Sequence, residues 1–275
     1  MNTYSTPSEA YLDAISRLIN RPMFRSAPRG QPIREILHDR FVVENPSARP
    51  IITHDFGRNE TIARYTAAEF KLYESGARTV EDFGKAAKFW NALGNPDSTV
   101  NSAYGHLIWY DKSCGNPEFE QLTGSNVDSP SPLDKSPVSQ KARDQQFMRT
   151  PWEWARLALM TDKDTRQAII KFHKREHLWV GNKDVTCTLY GNFHIRNSKL
   201  FLVMHMRSQD VVKGLVYDLV FFMYLQERML RELREKAYPD LQLGDYTHSA
   251  DSLHLYERDL AAARKMIGDT QTNLL

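Results

Sequence analysis

Cysteine is scarce in this chain of 275 residues: only Cys114 and Cys187 are present. Two thiols cannot staple a scaffold, which fits a reducing compartment, and each must be explained singly. Charge of one sign is also missing, since 36 Lys+Arg against 34 Asp+Glu leave a formal +2. That balance excludes a polybasic nucleic-acid wrapper and an acidic tail, and no nucleic-acid partner is expected; a local anion site remains open. Long apolar runs are lacking as well. Mean hydropathy is −0.55, and no uninterrupted stretch approaches the ~18 residues of a membrane span. No membrane partner is therefore expected. The opening MNTYSTPSEAYLDAISRLIN has neither the basic start nor the apolar stretch of a secretory leader, so a cytoplasmic location is expected. No internal repeat is found. What is there is ordinary globular composition, 41% hydrophobic and 25% charged, enough for a sizeable core. It is read as a single domain over 1–275.

Periodicity predicts helices over 8–20 and 61–75, with Thr61, and Thr66 followed by Glu69, as candidate capping boxes. The Pro- and Ser-rich segment 124–140 reads as a long surface loop. The β-branched and aromatic stretch 184–206 breaks at Arg196-Asn197-Ser198-Lys199 and predicts two strands and a turn. A helix is expected from 211 to about 236, a short strand over 241–246, and a helix over 251–266 with Asp251 as its N-cap. Strands and helices mix without strict alternation, so the class is α+β.

Four places carry chemistry. Asp218 lies in Gly-Leu-Val-Tyr-Asp-Leu-Val-Phe-Phe-Met-Tyr-Leu, 214–225, among apolar and aromatic neighbours. It is either an expensive buried carboxylate that needs a partner, or a carboxylate at the helix's wet edge. Cys187, in Val-Thr-Cys-Thr-Leu, is either a small buried hydrophobe or a thiolate nucleophile. The second reading needs a cation to lower the thiol's pKa, and Arg207 is a candidate if the strands fold back. Arg207-Ser208-Gln209-Asp210 stands between a strand and a helix, a place that suits a phosphate. His173-Lys-Arg-Glu-His177 matches a short zinc pattern that needs a helix and a third ligand; two histidines in a polar turn are the plainer reading. Cys114 reads as an exposed loop thiol without a role.

Taken in order, these segments resemble the thymidylate synthase superfamily, most strongly over 184–218 and 252–258. In that family a nucleophilic Cys precedes an Arg-Ser-x-Asp motif by twenty residues, as Cys187 precedes Arg207, with Asp210 at the matching place. A Gly and a pyrimidine-reading residue follow, here Gly214 and Asp218. Ser-Leu-His-Leu-Tyr, 252–256, resembles the His-x-Tyr pair that holds the sugar hydroxyl, giving His254 and Tyr256. Asn-Ser-Ala-Tyr-Gly, 101–105, resembles the Tyr-Gly segment and supplies Tyr104; Trp90 falls at the folate-contacting Trp, and Glu69 at the catalytic glutamate.

The resemblance implies a thymidylate synthase-like fold and a homodimer with shared active sites. The substrates would be a pyrimidine nucleoside monophosphate and 5,10-methylenetetrahydrofolate. Cys187 would add to C6 of the base and make C5 nucleophilic toward the one-carbon unit; Glu69 would organise water and proton transfer. Arg207 and Ser208 would bind phosphate, together with Arg29 and with Arg166 from the other chain. Trp90, Tyr104, Asp210 and Gly214 would meet the folate. Uridylate enzymes carry Asn at the position of Asp218. Cytosine offers a 4-amino donor that a carboxylate accepts, so Asp218 points to deoxycytidylate 5-hydroxymethylation, as in phage enzymes, whose setting would be the host cytoplasm. The alternatives are CMP as substrate and a deoxyuridylate-acting thymidylate synthase. There are departures: Gln167 stands where a second phosphate arginine is expected, with Lys171 as a possible substitute, and the family's C-terminus is not recognisable. Outside this class stand a zinc hydrolase built on His173, Glu176 and His177, and a catalytically silent binding protein.

Overall fold

The computed structural model describes residues 2–115 and 148–269; the expected loop at 124–140 lies outside them. Helix α1 (Pro7–Asn20) begins where Thr6 and Glu9 form a reciprocal capping box, and Pro7 fills the first turn. Its buried side chains, Ala10, Tyr11, Ala14, Ile15 and Leu18, recur at helical spacing and pack on the sheet.

Helix α2 (Phe56–Ser75) starts five residues before the expected place. Asp55 is its N-cap, accepting from the Arg58 amide at 3.2 Å. Thr61 therefore does not cap; its hydroxyl donates to the Gly57 carbonyl at 3.0 Å inside the helix. Thr66 and Glu69 likewise lie in mid-helix. Two short helices follow, α3 (Val80–Ala86) and α4 (Tyr104–Trp109). At Gly105 a Cβ would stand 2.1 Å from the Tyr73 carbonyl oxygen, so glycine lets α4 press directly on the backbone of α2. Helix α5 spans Pro151–Thr161.

The sheet runs β1 (Asn2–Tyr4), β3 (Ile33–Val43), β8 (Gln242–Tyr256), β6 (Lys199–Met206), β5 (Thr188–Arg196), β4 (Ile169–Lys171). Two short strands branch from it: β2 (Phe24–Ser26) pairs with β3, and β7 (Gln209–Asp210) with β8. Parallel pairs (β1–β3, β6–β8) stand beside antiparallel ones (β3–β8, β5–β6), an α+β arrangement. The β5–β6 hairpin turns through Asn197 and Ser198, both at positive φ, as a tight hairpin turn requires. On β6, Leu200, Leu202, Met204 and Met206 are buried while Phe201, Val203 and His205 are only half-buried, so one face meets the core.

Two further boundaries differ from the sequence reading. Helix α6 (Leu215–Lys236) begins at 215, not 211, because the Asp210 carboxylate accepts from the Val212 and Lys213 amides and closes a turn first. The expected helix 251–266 is mostly strand: Asp251–Tyr256 continue β8, with Ser252 to Tyr256 laddered against β3, and only α7 (Leu260–Met266) is helical. Asp251 caps nothing. Long-range pairing with β3 outweighs the local helical pattern there.

Candidate active site

The hairpin closes the twenty-residue gap between Cys187 and Arg207. Thr188 pairs with Met206, and the Arg207 amide donates to the Cys187 carbonyl at 2.9 Å. The Arg207 guanidinium donates to the Thr186 carbonyl at 3.0 Å and to that of Val185, which aims Nη2 to within 3.7 Å of the Cys187 Sγ. Burial pushes the Cys187 thiol up to about 11, and Arg207 is the group that opposes this.

Both residues line a cavity of about 760 Å³. Glu69, Trp90, Tyr104, Ser208, Asp210 and Gly214 line it too, as do Asp218 and Arg29. Asp218 sits in the first turn of α6, and its Oδ2 accepts from Gln209 Nε2 at 2.8 Å. It falls between the two readings, half-buried at the cavity wall with Gln209 as its partner, and loss of solvation there pushes its pKa up to about 7. Glu69 projects from α2 and is 7% exposed. Burial, with the Asp218 charge added, pushes it up to about 8. Its Oε1 accepts from the Tyr65 hydroxyl at 3.0 Å, and that hydroxyl accepts from the Trp90 indole at 3.0 Å. Trp90, Tyr65 and Glu69 thus form one hydrogen-bonded relay.

His254 and Tyr256 stand on β8, edge-on at 5.3 Å, with His254 opposite Asp210 in the β7–β8 ladder. Burial lowers the His254 pKa, while the Asp210 charge raises it. Arg166 is not brought to Cys187 within the chain; it borders a separate hollow with Asp162, Asp164, Thr165 and Gln167. Lys171, on β4, is exposed and does not line the cavity.

The zinc pattern does not form a helix: residues 175–177 are one 3-10 turn. His173 Nδ1 and His177 Nδ1 both lie against the buried Thr186 hydroxyl, at 3.1 and 3.0 Å. Among the described residues, no three His, Cys, Asp or Glu side chains are placed to hold a metal ion. Cys114 is half-buried rather than exposed, its backbone bridged to Arg149.

The sequence reading missed Tyr65, Gln209 and Arg58. Tyr65 had a signal, one helical turn before Glu69. Arg58 lies 5.5 Å from the Tyr217 ring centroid and donates to the Val212 carbonyl. Nothing local announces either contact.

Over 271 residues the chain is 26% identical to the deoxyuridylate hydroxymethyltransferase of Bacillus phage SP01, covering 94% of this chain and 59% of that protein. It therefore spans less than two thirds of that relative's length. It is 22% identical over 200 residues to the deoxycytidylate 5-hydroxymethyltransferase of Enterobacteria phage T4, covering 70% of this chain and 67% of that one. Thermostable thymidylate synthase A from Bacillus subtilis shares the fold, with a TM-score of 0.65 at 16% identity, covering 96% of this chain and 84% of that one. The thymidylate synthase family model matches residues 9–274, which takes in the Cys187–Arg207 hairpin, Glu69 and Asp218 alike, and the chain belongs to that family.

Proposed function

We propose that the chain is a cytidylate 5-hydroxymethyltransferase that takes its one-carbon unit from 5,10-methylenetetrahydrofolate. The observation that carries this is Asp218, a half-buried, poorly solvated carboxylate lining the same cavity as the Cys187–Arg207 pair. The two phage relatives are named for different bases, so the choice of base rests on residue 218. A carboxyl group that titrates near neutrality can accept from the 4-amino group of cytosine through one oxygen. Its other oxygen shares a proton with N3.

In this reading the Cys187 thiolate adds to C6, and C5 gains carbanion character. C5 takes the one-carbon unit from the folate cosubstrate and loses its proton, tetrahydrofolate leaves, and water adds to the exocyclic methylene as the Cys187 thiolate departs from C6. Arg207 stabilises the thiolate and, with Ser208 and Arg29, binds the phosphate. Burial holds a proton at the Glu69 carboxyl, and the Tyr65 hydroxyl, itself fixed by the Trp90 indole, orients that carboxyl toward the water that completes the hydroxymethyl group. The buried indole of Trp90 and the ring of Tyr104 fit an aromatic pterin in a cavity large enough for two ligands. His254 and Tyr256 hold a sugar hydroxyl, dCMP being the first reading and CMP the second. Arg166, turned away from Cys187, completes the phosphate site of a second copy in a homodimer, and the half-buried sheet face with Phe201, Val203 and His205 is the surface for that copy.

Tritium release from 5-³H-labelled dCMP, CMP and dUMP, each with methylenetetrahydrofolate, tests this together with product mass. Release from a cytidylate with a hydroxymethyl mass gain is expected. Release from dUMP alone with a methyl product would overturn it.

A further inference from the structure

Asp218 is not the whole of the base reader. Its only side-chain hydrogen bond among the described residues comes from Gln209, whose Nε2 lies 2.8 Å from Oδ2. Gln209 is 1% exposed, lines the cavity, and its Oε1 is buried with no hydrogen-bond partner. Among the described residues no other hydrogen bond holds the amide, so the two side chains orient each other. Gly214 makes room for this contact: a Cβ there would stand 2.7 Å from Gln209 Nε2 and 3.4 Å from Asp218 Oδ2.

The arrangement matters because a protonated carboxyl is ambiguous. Its acceptor oxygen and its O–H can face the 4-amino group and N3 of cytosine. With the proton on the other oxygen, the same group matches O4 and N3–H of uracil. A carboxyl that titrates near neutrality spends much of its time protonated, so burial of Asp218 does not by itself select a base. The Gln209 N–H breaks the symmetry. It makes Oδ2 the accepting oxygen and leaves the proton to Oδ1, which matches cytosine when Oδ2 faces the 4-amino group and Oδ1 faces N3.

We propose that Gln209 is a specificity-determining positioning residue, whose amide orders the proton on Asp218 so that the pair accepts cytosine and refuses uracil. This rests on the reading of Asp218 as the base reader.

The test compares kcat/KM for dCMP and dUMP from pH 6 to 9 in wild type, Gln209→Met and Gln209→Glu. Methionine keeps the length and removes the donor. The dCMP:dUMP ratio is expected to fall by roughly ten- to a hundredfold, the weight of one hydrogen bond to a charged or ionising group. The pH midpoint of dCMP turnover is expected to rise, because Asp218 loses the bond that favours its ionised form. Glutamic acid restores a donor only while protonated, so Gln209→Glu is expected to discriminate at low pH and lose discrimination at high pH. A packing role alone would produce no such pH-dependent rescue. A selective wild type with an unchanged ratio and pH profile in Gln209→Met overturns the role of Gln209 and leaves the reading of Asp218 standing. If Gln209→Met does not fold, Gln209→Glu decides: a pH-independent ratio overturns the proposal. A wild type that turns over dUMP alone overturns the base reading, and this role with it.

Discussion

Arg207 Nη2 lies 3.7 Å from the Cys187 sulfur, held there by the carbonyls of Val185 and Thr186 on the approach to the same strand. The guanidinium therefore cannot drift from the thiol without loosening the backbone that carries it. Burial opposes the thiolate and Arg207 favours it. In Arg207→Ala the thiol pKa should rise further, and alkylation of Cys187 by iodoacetamide at pH 8 should slow by about tenfold or more. Arg207→Lys keeps the charge without the fork and should fall between. Mass spectrometry of the Cys187 peptide in a Cys114→Ser background checks both. Equal rates in all three proteins would deny the coupling.

Glu69 titrates at about 8 in the fold, against an ordinary 4.5. Between those values the folded chain holds a proton that the unfolded chain has released. Stability contributed by this group therefore falls as pH rises from about 4.5 toward 8 and is level outside that window. Glu69→Gln removes the penalty. Its stability should match wild type near pH 4 and exceed it near pH 8 by on the order of a few kcal/mol at most, seen as a higher melting temperature at the upper pH. Turnover should drop by at least about a hundredfold, since the amide cannot exchange the proton. Thermal melts across pH, set beside tritium release, read both effects; parallel melting curves would remove the buried-acid account.

How much of this was legible depended on how local each signal was. The hairpin was legible because Asn197-Ser198 interrupts two β-branched runs, and its length alone carries Cys187 to Arg207. Asp218 stood out as one carboxylate in an apolar stretch. The strand 251–256 was not legible, because Ser252-Leu-His-Leu-Tyr256 suits a helix or a strand until β3 lies beside it. Asp55 was missed as the cap of α2 because Thr61 stands directly before an apolar run and drew the helix start there. Gln209 was read only as the spacer in Arg-Ser-x-Asp. Its contact with Asp218 exists because β7 and the first turn of α6 meet in space.

Asp218→Asn supplies a fixed donor and a fixed acceptor in place of a titrating group. An amide oriented for uracil accepts from N3–H and donates to O4, whereas cytosine needs the reverse. Preference should move from cytidylate toward uridylate by about a hundredfold in relative kcat/KM, with much of the pH dependence between 6 and 8 lost. Competition between labelled dCMP and dUMP in one vessel measures the ratio directly. An unmoved ratio would mean that residue 218 does not read the base.

Arg166 and Cys187 belong to the same site only if two chains meet, because the fold places them around different hollows. This separates two defects that would otherwise look alike. Cys187→Ser should abolish turnover, and Arg166→Glu should suppress it by putting an acid where phosphate is held. Each homodimer is then inactive for its own reason. When the two proteins are unfolded together and refolded at equal ratio, about half the dimers are mixed, and each mixed dimer contains one site with a wild-type Cys187 and a wild-type Arg166. About a quarter of wild-type activity should return from two inactive preparations. If instead Arg166 served its own chain, no site in the mixture would be complete and activity would stay at zero. Sedimentation of the refolded mixture, run alongside, establishes that dimers formed, so a silent mixture of dimers would refute the shared site.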